Sequence, residues 1–269
     1  MTLEQHRARR RFGQNFLVDR HVIEAIVHAI DPRPGDALVE IGPGMGALTG
    51  LLAARINAAG PGHPLHVIEL DRDLARSLHE RLPGAQIEVH EADVLGFDFT
   101  TLPERLRVVG NLPYNISSPI LFRLFDVAAR LLDVHVMLQR EVVERIVATP
   151  QAGDYGRLSV MMQYRFEAEP VLEVGPQAFR PAPKVDSSVV RLVPRATATL
   201  GARDIGVLSR VVQAAFGQRR KMLRNTLRGW FDAERLEELG IDPKARAEDL
   251  RVADFVRLAN AAGTGAPSA

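Results

Sequence analysis

The sequence predicts an α/β protein: a doubly wound, mostly parallel sheet followed by a smaller, all-helical C-terminal domain. Three observations carry that reading. Short apolar, β-rich runs recur through the first two-thirds of the chain, at Ala37–Ile41, Leu65–Leu70, Ile87–Ala92, Val108–Val109 and Val134–Leu138. Segments with helical periodicity lie between them, such as Leu48–Ile56 and Asp73–Arg81, and this alternation is the pattern of βαβ units. After Asp204 the pattern is helical to about Ala261.

The remaining elements follow from the same rules. Leu158–Arg165 and Ser188–Val193 are separated by a proline-bearing stretch rather than a helix, and they are predicted to form an antiparallel pair that finishes the sheet. The run "VPRATATLGARD", Val193 to Asp204, reads as a linker. The expected division is therefore a sheet domain over 1–195, a helical domain over 204–262 and a loose tail over 263–269.

Composition narrows the function classes. The 269 residues are 46% hydrophobic and 25% charged, which is ordinary for a globular chain with a sizeable core. With no cysteine, disulfides, thiolate metal sites and a cysteine nucleophile are excluded, and a reducing cytoplasm fits. No signal peptide and no apolar run of membrane-spanning length is evident, so a soluble protein is expected. The net charge is only +1, but the basic residues cluster: Arg7, Arg9, Arg10 and Arg11 at one end, and Arg219, Arg220 and Lys221 with Arg224 and Arg228 following at helical spacing. Each cluster reads as a solvated face or as a surface for nucleic-acid phosphates.

The first strand runs into "VEIGPGMGALT", Val39 to Thr49. Gly42, Gly44 and Gly46 would let the backbone approach a ligand closely at the carboxyl end of that strand, where open α/β sheets bind cofactors. Glu69 ends the second strand, where a carboxylate can accept hydrogen bonds from both hydroxyls of a ribose. Asp93 ends the third and could take the exocyclic amine of an adenine. Glu40, at the end of the first strand, and Asp71 are the plainer alternatives, read as solvated strand-end charges. The glycine spacing departs from that of dinucleotide loops, and the run of acidic strand ends favours S-adenosylmethionine, which needs no pyrophosphate cradle. The eight histidines show no ligand spacing with carboxylates, and no metal is expected.

The fourth strand ends in "NLPY", Asn111 to Tyr114, a sequence similar to the Asn-Pro-Pro-Tyr motif of amino-methyltransferases. An amine conjugated to a purine ring is a poor nucleophile, because its lone pair is spread into the ring. The Asn111 side-chain oxygen and the Leu112 carbonyl can hold its hydrogens and favour a pyramidal nitrogen. Pro113 fixes the turn, and Tyr114 can stack on the base.

Taken in order, "RRFGQNFL", "VEIGPGMGALT", "VIELDRD", "VVGNLPYNIS", "MLQREVVERI", "YGRLSVMMQ", "FRPAPKVDSSVVRL" and "FGQRRKMLRNTL" resemble the bacterial KsgA/RsmA ribosomal RNA adenine dimethyltransferases from about Arg10 to Ala261. The resemblance implies a Rossmann-like methyltransferase sheet. It also implies transfer of methyls from S-adenosylmethionine to N6 of two adjacent adenosines in a hairpin loop near the 3′ end of 16S ribosomal RNA, within the immature 30S subunit. By the same resemblance Asn15 and Leu17 belong to an N-terminal segment over the cofactor, and Gly42, Gly44, Glu69, Asp93 and Asn111 are further cofactor contacts. Phe179 is the aromatic that would face Tyr114 across the flipped base. Arg10, Arg11, Arg219, Arg220, Lys221 and Arg224 become expected RNA contacts, and a cytoplasmic monomer is expected. Two alternatives stand beside this reading: a methylase of large-subunit RNA, and a ribosome-assembly factor acting mainly by binding.

Overall fold

The structure, a computed structural model, describes residues 15–58, 62–218 and 220–262. Arg7, Arg9, Arg10, Arg11, Arg219 and the tail over 263–269 lie outside the described residues. The chain forms two compact units, one reaching to Val143 and adding Glu169–Pro194, the other combining Glu144–Ala168 with the chain from Arg195 onwards. The expected sheet domain over 1–195 is thus interrupted by a segment that packs with the helical unit.

In the sheet unit a two-residue strand β1 (Phe16–Leu17) precedes α1 (Arg20–Ile30). Asp19 caps α1 by accepting from the His21 and Val22 N–H groups, and the helix stops at Asp31, whose φ of 48° is left-handed, just before Pro32. Then come β2 (Leu38–Ile41), α2 (Thr49–Ile56), β3 (Leu65–Glu69), α3 (Arg72–Arg81) and β4 (Ile87–Glu91). The chain returns as β5 (Leu106–Asn111), α4 (Ser117–Asp126), β6 (Leu131–Gln139) and α5 (Arg140–Val147). Strands β7 (Phe166–Val174), β8 (Phe179–Arg180) and β9 (Ser187–Pro194) complete it.

The main sheet has the order β4-β3-β2-β5-β6-β9-β7, with β2 to β6 parallel to their neighbours and β9 antiparallel to β6. β1 and β8 form a separate antiparallel pair in which Leu17 faces Phe179. The chain leaves β2 in one direction for β3 and β4, then crosses to β5 on its other side. The carboxyl ends of β2 and β5 therefore flank a topological switch point, the usual ligand crevice of such sheets.

The expected strand over Leu158–Arg165 is instead a helix, α6 (Arg157–Arg165), in the second unit. Val160, Met161, Met162 and Tyr164 are buried on successive faces of the helix, which blurs the amphipathic period that separates helix from strand. Side chains hold it in place: the Gly156 N–H donates to the Ser159 hydroxyl at 3.0 Å, and the Gln163 amide donates to the Ile146 and Ala148 carbonyls. The strand begins immediately afterwards as β7, an edge strand in which Pro170 costs no ladder bond. The same unit contains α7 (Ile205–Phe216), capped by Asp204, α8 (Leu223–Thr226), α9 (Ala233–Glu238) and α10 (Val252–Ala262). This agrees with the helical reading beyond Asp204.

At the amino ends of the strands, the buried Arg107 of β5 ties four segments together. Its guanidinium grips Asp133 of β6 bidentately at 3.0 and 2.8 Å and Asp36, ahead of β2, at 2.7 Å. It also donates to the carbonyls of Ile30 and Asp31 at the end of α1. Removing one partner of a buried ion pair strands the other charge. Arg107→Met should lower unfolding stability by about 3–5 kcal/mol, read as a fall in the urea midpoint. The Arg107→Met/Asp133→Leu double variant should recover part of that loss.

Candidate functional site

A cavity of about 270 Å³ opens at the switch point, and its wall includes the glycine turn, Glu69, Asp93 and the whole of Asn111–Tyr114. These residues come from four different strand ends, so parallel topology gathers groups that are up to 72 positions apart in sequence, from Gly42 to Tyr114. Gly42, Gly44 and Gly46 have φ of 65°, 55° and 82°, a backbone that only glycine enters without strain. Gly44 has a second constraint, since a Cβ there would lie 3.2 Å from the Phe16 ring.

Glu69 is held at both oxygens. One accepts from the Gly44 N–H at 3.1 Å and the other from the Asp71 N–H at 2.9 Å. Burial raises its pKa, opposed by these N–H donors. The carboxylate thereby fixes the glycine turn while remaining part of the cavity wall. Asp93 is exposed, and one of its oxygens accepts from the Leu95 N–H at 2.9 Å.

Glu40 and Asp71 are not the solvated strand-end charges considered from the sequence. Asp71 is buried and caps α3 through the Asp73 N–H. Glu40 is only 1% exposed, lines the cavity, and has its Oε2 buried with no hydrogen-bond partner. Burial pushes its pKa up to about 7; the Thr49 hydroxyl beside it opposes that shift and the charge of Glu69 adds to it. An acidic residue on a central strand buried on both faces was the sequence signal that could have revealed it.

Asn111 ends β5 with its Nδ2 donating to the Asn15 carbonyl at 3.0 Å. That bond sets the amide orientation and leaves Oδ1 as the side chain's acceptor. The Leu112 N–H donates to the Met137 carbonyl at 3.1 Å, which fixes the Asn111–Leu112 peptide. The Tyr114 hydroxyl shares a hydrogen bond with Ser187 Oγ on β9. Burial raises the phenol pKa, opposed by that hydrogen bond. Asn15 and Leu17 both reach the cavity, together with Phe16, which sequence reasoning passed over.

Phe179 departs from expectation. It is fully buried in the hydrophobic core and is absent from the cavity wall. The pair of rings across a base is therefore not assembled in this structure. Arg220, Lys221 and Arg224 are exposed, as expected of phosphate contacts, but the helical spacing is not: Arg220 and Lys221 sit in the turn between α7 and α8, and only Arg224 lies on α8. His66, Glu88 and His90, whose linear spacing gave no sign of it, come together across β3 and β4.

The residues fit S-adenosylmethionine. A buried acceptor without a partner, Glu40 Oε2, faces a cavity whose ligand would bring an ammonium and a sulfonium. A Rossmann-like sheet with a glycine turn and the Asn111–Tyr114 loop at one crevice defines an S-adenosylmethionine-dependent methyltransferase. The ribosomal RNA adenine dimethylase family model matches residues 5–263, and the chain belongs to that family. It is 55% identical over 267 residues to the ribosomal RNA small subunit methyltransferase A of Aromatoleum aromaticum, covering 99% of this chain and 98% of that one. The protein of the same name from Chromobacterium violaceum is 52% identical over 259 residues, covering 96% and 97%. Among solved structures, the 23S rRNA methyltransferase ErmE is similar with a TM-score of 0.69 and 32% identity, over 92% of this chain and 99% of that one. A dimethyladenosine transferase from Plasmodium falciparum shares the fold with a TM-score of 0.75 at 24% identity, over 90% and 95%.

The Glu40 environment sets a pH dependence of stability. The folded form holds this proton up to about pH 7, whereas an ordinary glutamate releases it near 4.5. Ligand-free protein should thus carry a stabilising contribution that is complete below about pH 4.5 and lost as pH rises through 7. At 1.36 kcal/mol per pKa unit this contribution is roughly 3 kcal/mol. Glu40→Gln should remove it, so the difference in unfolding stability between parent and variant, measured by urea titration from pH 4 to pH 8, should change by that amount in the parent's disfavour at high pH.

Proposed function

We propose that this protein transfers methyl groups from S-adenosylmethionine to N6 of two adjacent adenosines in the hairpin loop near the 3′ end of 16S ribosomal RNA, giving dimethyladenosines. The substrate is the immature 30S subunit, met by a monomer in the cytoplasm. The observation that carries this reading is the single crevice in which the glycine turn, Glu69 and Asp93 adjoin Asn111–Tyr114. The small-subunit enzymes are 52–55% identical against 32% for the large-subunit enzyme, which favours the small-subunit substrate.

Glu69 would hold the cofactor's ribose, Asp93 its adenine amine, and Glu40 its cationic amino-acid end. When bound, the cofactor supplies a methyl already activated by a sulfonium. The chain's task is then to orient a nucleophile. Asn111 Oδ1 and the Leu112 carbonyl accept the two hydrogens of the adenine amine and favour a pyramidal nitrogen whose lone pair points into the cavity. Tyr114 stacks on the base, its ring fixed by the hydrogen bond to Ser187. With its pKa raised, the phenol stays neutral and is no proton acceptor. The product amine can lose its proton to water, so no general base is required. No helix among the described residues is long and apolar enough to cross a membrane.

Asn111→Ala removes one of the two acceptors and should slow single-turnover methylation at saturating RNA by about a hundredfold or more, the equivalent of roughly 2–4 kcal/mol. Tyr114→Ala should instead weaken base capture by about 1–3 kcal/mol, a defect that higher RNA concentration partly rescues. Near-parental single-turnover rates in a folded Asn111→Ala variant would remove the amine-orienting role.

The basic turn makes a separate contribution. Replacing Arg219, Arg220 and Lys221 with alanine should weaken binding of immature 30S subunits and flatten the salt dependence of that binding, with cofactor affinity unchanged. Binding with the parent's affinity and salt slope would make the cluster a solvated face only.

A further inference from the structure

The groups engaged at the crevice leave one cluster unused. On the edge of the sheet, His66 of β3 stands opposite Glu88 of β4 in the parallel register, and His90 lies two residues further along β4. The His66 Nδ1 is 3.2 Å from His90 Nε2 and 3.5 Å from Glu88 Oε2, while His90 Nε2 is 3.7 Å from Glu88 Oε1. None of these residues lines the cofactor cavity.

From these distances we infer that His66, Glu88 and His90 form a binding site for a divalent transition ion of the zinc class. Zinc holds imidazole nitrogen at about 2.0–2.1 Å and carboxylate oxygen at about 2.0–2.2 Å in a tetrahedron, which places neighbouring ligand atoms about 3.3–3.5 Å apart. The His66–His90 and His66–Glu88 separations lie close to that edge length. The two imidazoles meet different oxygens of Glu88, so a rotation of that exposed carboxylate would bring one oxygen to an ion held between the rings.

The donor set agrees with the geometry. Two imidazoles and one carboxylate suit zinc and its neighbours in preference to magnesium or calcium, which favour all-oxygen shells. The His66 and His90 rings are held in place by packing: they stack at 5.4 Å, and the Phe97 ring meets His90 edge-on at 5.1 Å. His66 is buried, whereas Glu88 is exposed, so the third ligand can swing in and a water can take the fourth position. Bound there, the ion would clamp edge strand β4 onto β3.

The competing account is a hydrogen bond between the two imidazoles with Glu88 beside them and no ion. The test uses the untagged full chain, stripped with a chelator and dialysed, and titrated with zinc chloride by calorimetry. One saturable equivalent is expected, with a higher thermal midpoint in zinc than in chelator, and cobalt(II) substituted for zinc should show the intense visible bands of a tetrahedral site. Glu88→Gln and His90→Phe should each weaken zinc binding by about tenfold or more. Glu88 is exposed, so its variant keeps the test open if the His90 variant does not fold. Absence of a saturable one-equivalent site, or parental zinc affinity in Glu88→Gln, would overturn the assignment in favour of the hydrogen-bonded cluster.

Discussion

Gly110 sets how closely β5 can approach β2, and the crevice depends on that spacing. A Cβ at this position would stand 2.5 Å from the Ile41 carbonyl oxygen, inside any contact a real side chain tolerates. With glycine there, the two strand ends close up, and the turn after β2 faces the loop after β5: a Cβ on Gly42 would lie 3.9 Å from the Asn111 carbonyl oxygen. The cofactor turn and the amine-orienting loop therefore form one wall. A larger residue at 110 would push Asn111, Leu112, Pro113 and Tyr114 away from the glycine turn together, so this glycine acts on the chemistry through the distance between two backbones.

Apart from Tyr114, whose hydroxyl meets the Ser187 side chain, the crevice's hydrogen-bonded polar groups are held by backbone partners. Glu69 is held by two N–H groups, Asn111 by the Asn15 carbonyl, and Leu112 by the Met137 carbonyl. Groups held in this way need little rearrangement when a ligand arrives, and this preorganisation makes a hydrogen bond in a water-poor site worth more than it is in bulk water. Glu40 is the exception. Its Oε2 is buried without a hydrogen-bond partner, and burial raises its pKa.

The parallel order of the strands, the glycine turn and the "NLPY" loop were legible in the sequence, because each rests on a local signal: alternation of element types, positive-φ glycines, an Asn-Leu-Pro turn. The failures share a different cause. Residues 158–165 make a helix with Val160, Met161, Met162 and Tyr164 buried on successive faces, so its sequence carries no clear helical stripe. Phe179 is buried in the core and pairs with Leu17 of β1, a partner that nothing in "FRPAP" announces. His66 meets Glu88 and His90 through strand register, which linear spacing does not encode. Ser187, the partner of Tyr114, is 73 residues away from it in sequence. What depends on a neighbour chosen by topology stayed hidden until the topology was known.

The two ends of β5 divide the work of the sheet. Arg107 and Asn111 stand four residues apart on one strand, about 13 Å at the usual rise. At the amino end the Arg107 guanidinium has donors directed to Asp36, Asp133 and two helix-terminal carbonyls, so a buried charge is fully compensated and the strands are locked in place. At the carboxyl end the compensation is incomplete: Glu40 lacks a partner for one oxygen, and the Asn111 amide donates to the Asn15 carbonyl through Nδ2. A sheet can hold unsatisfied polar groups at one end when the other end is over-tied, and the rigid strand between them transmits the positional certainty that the amine-orienting loop requires.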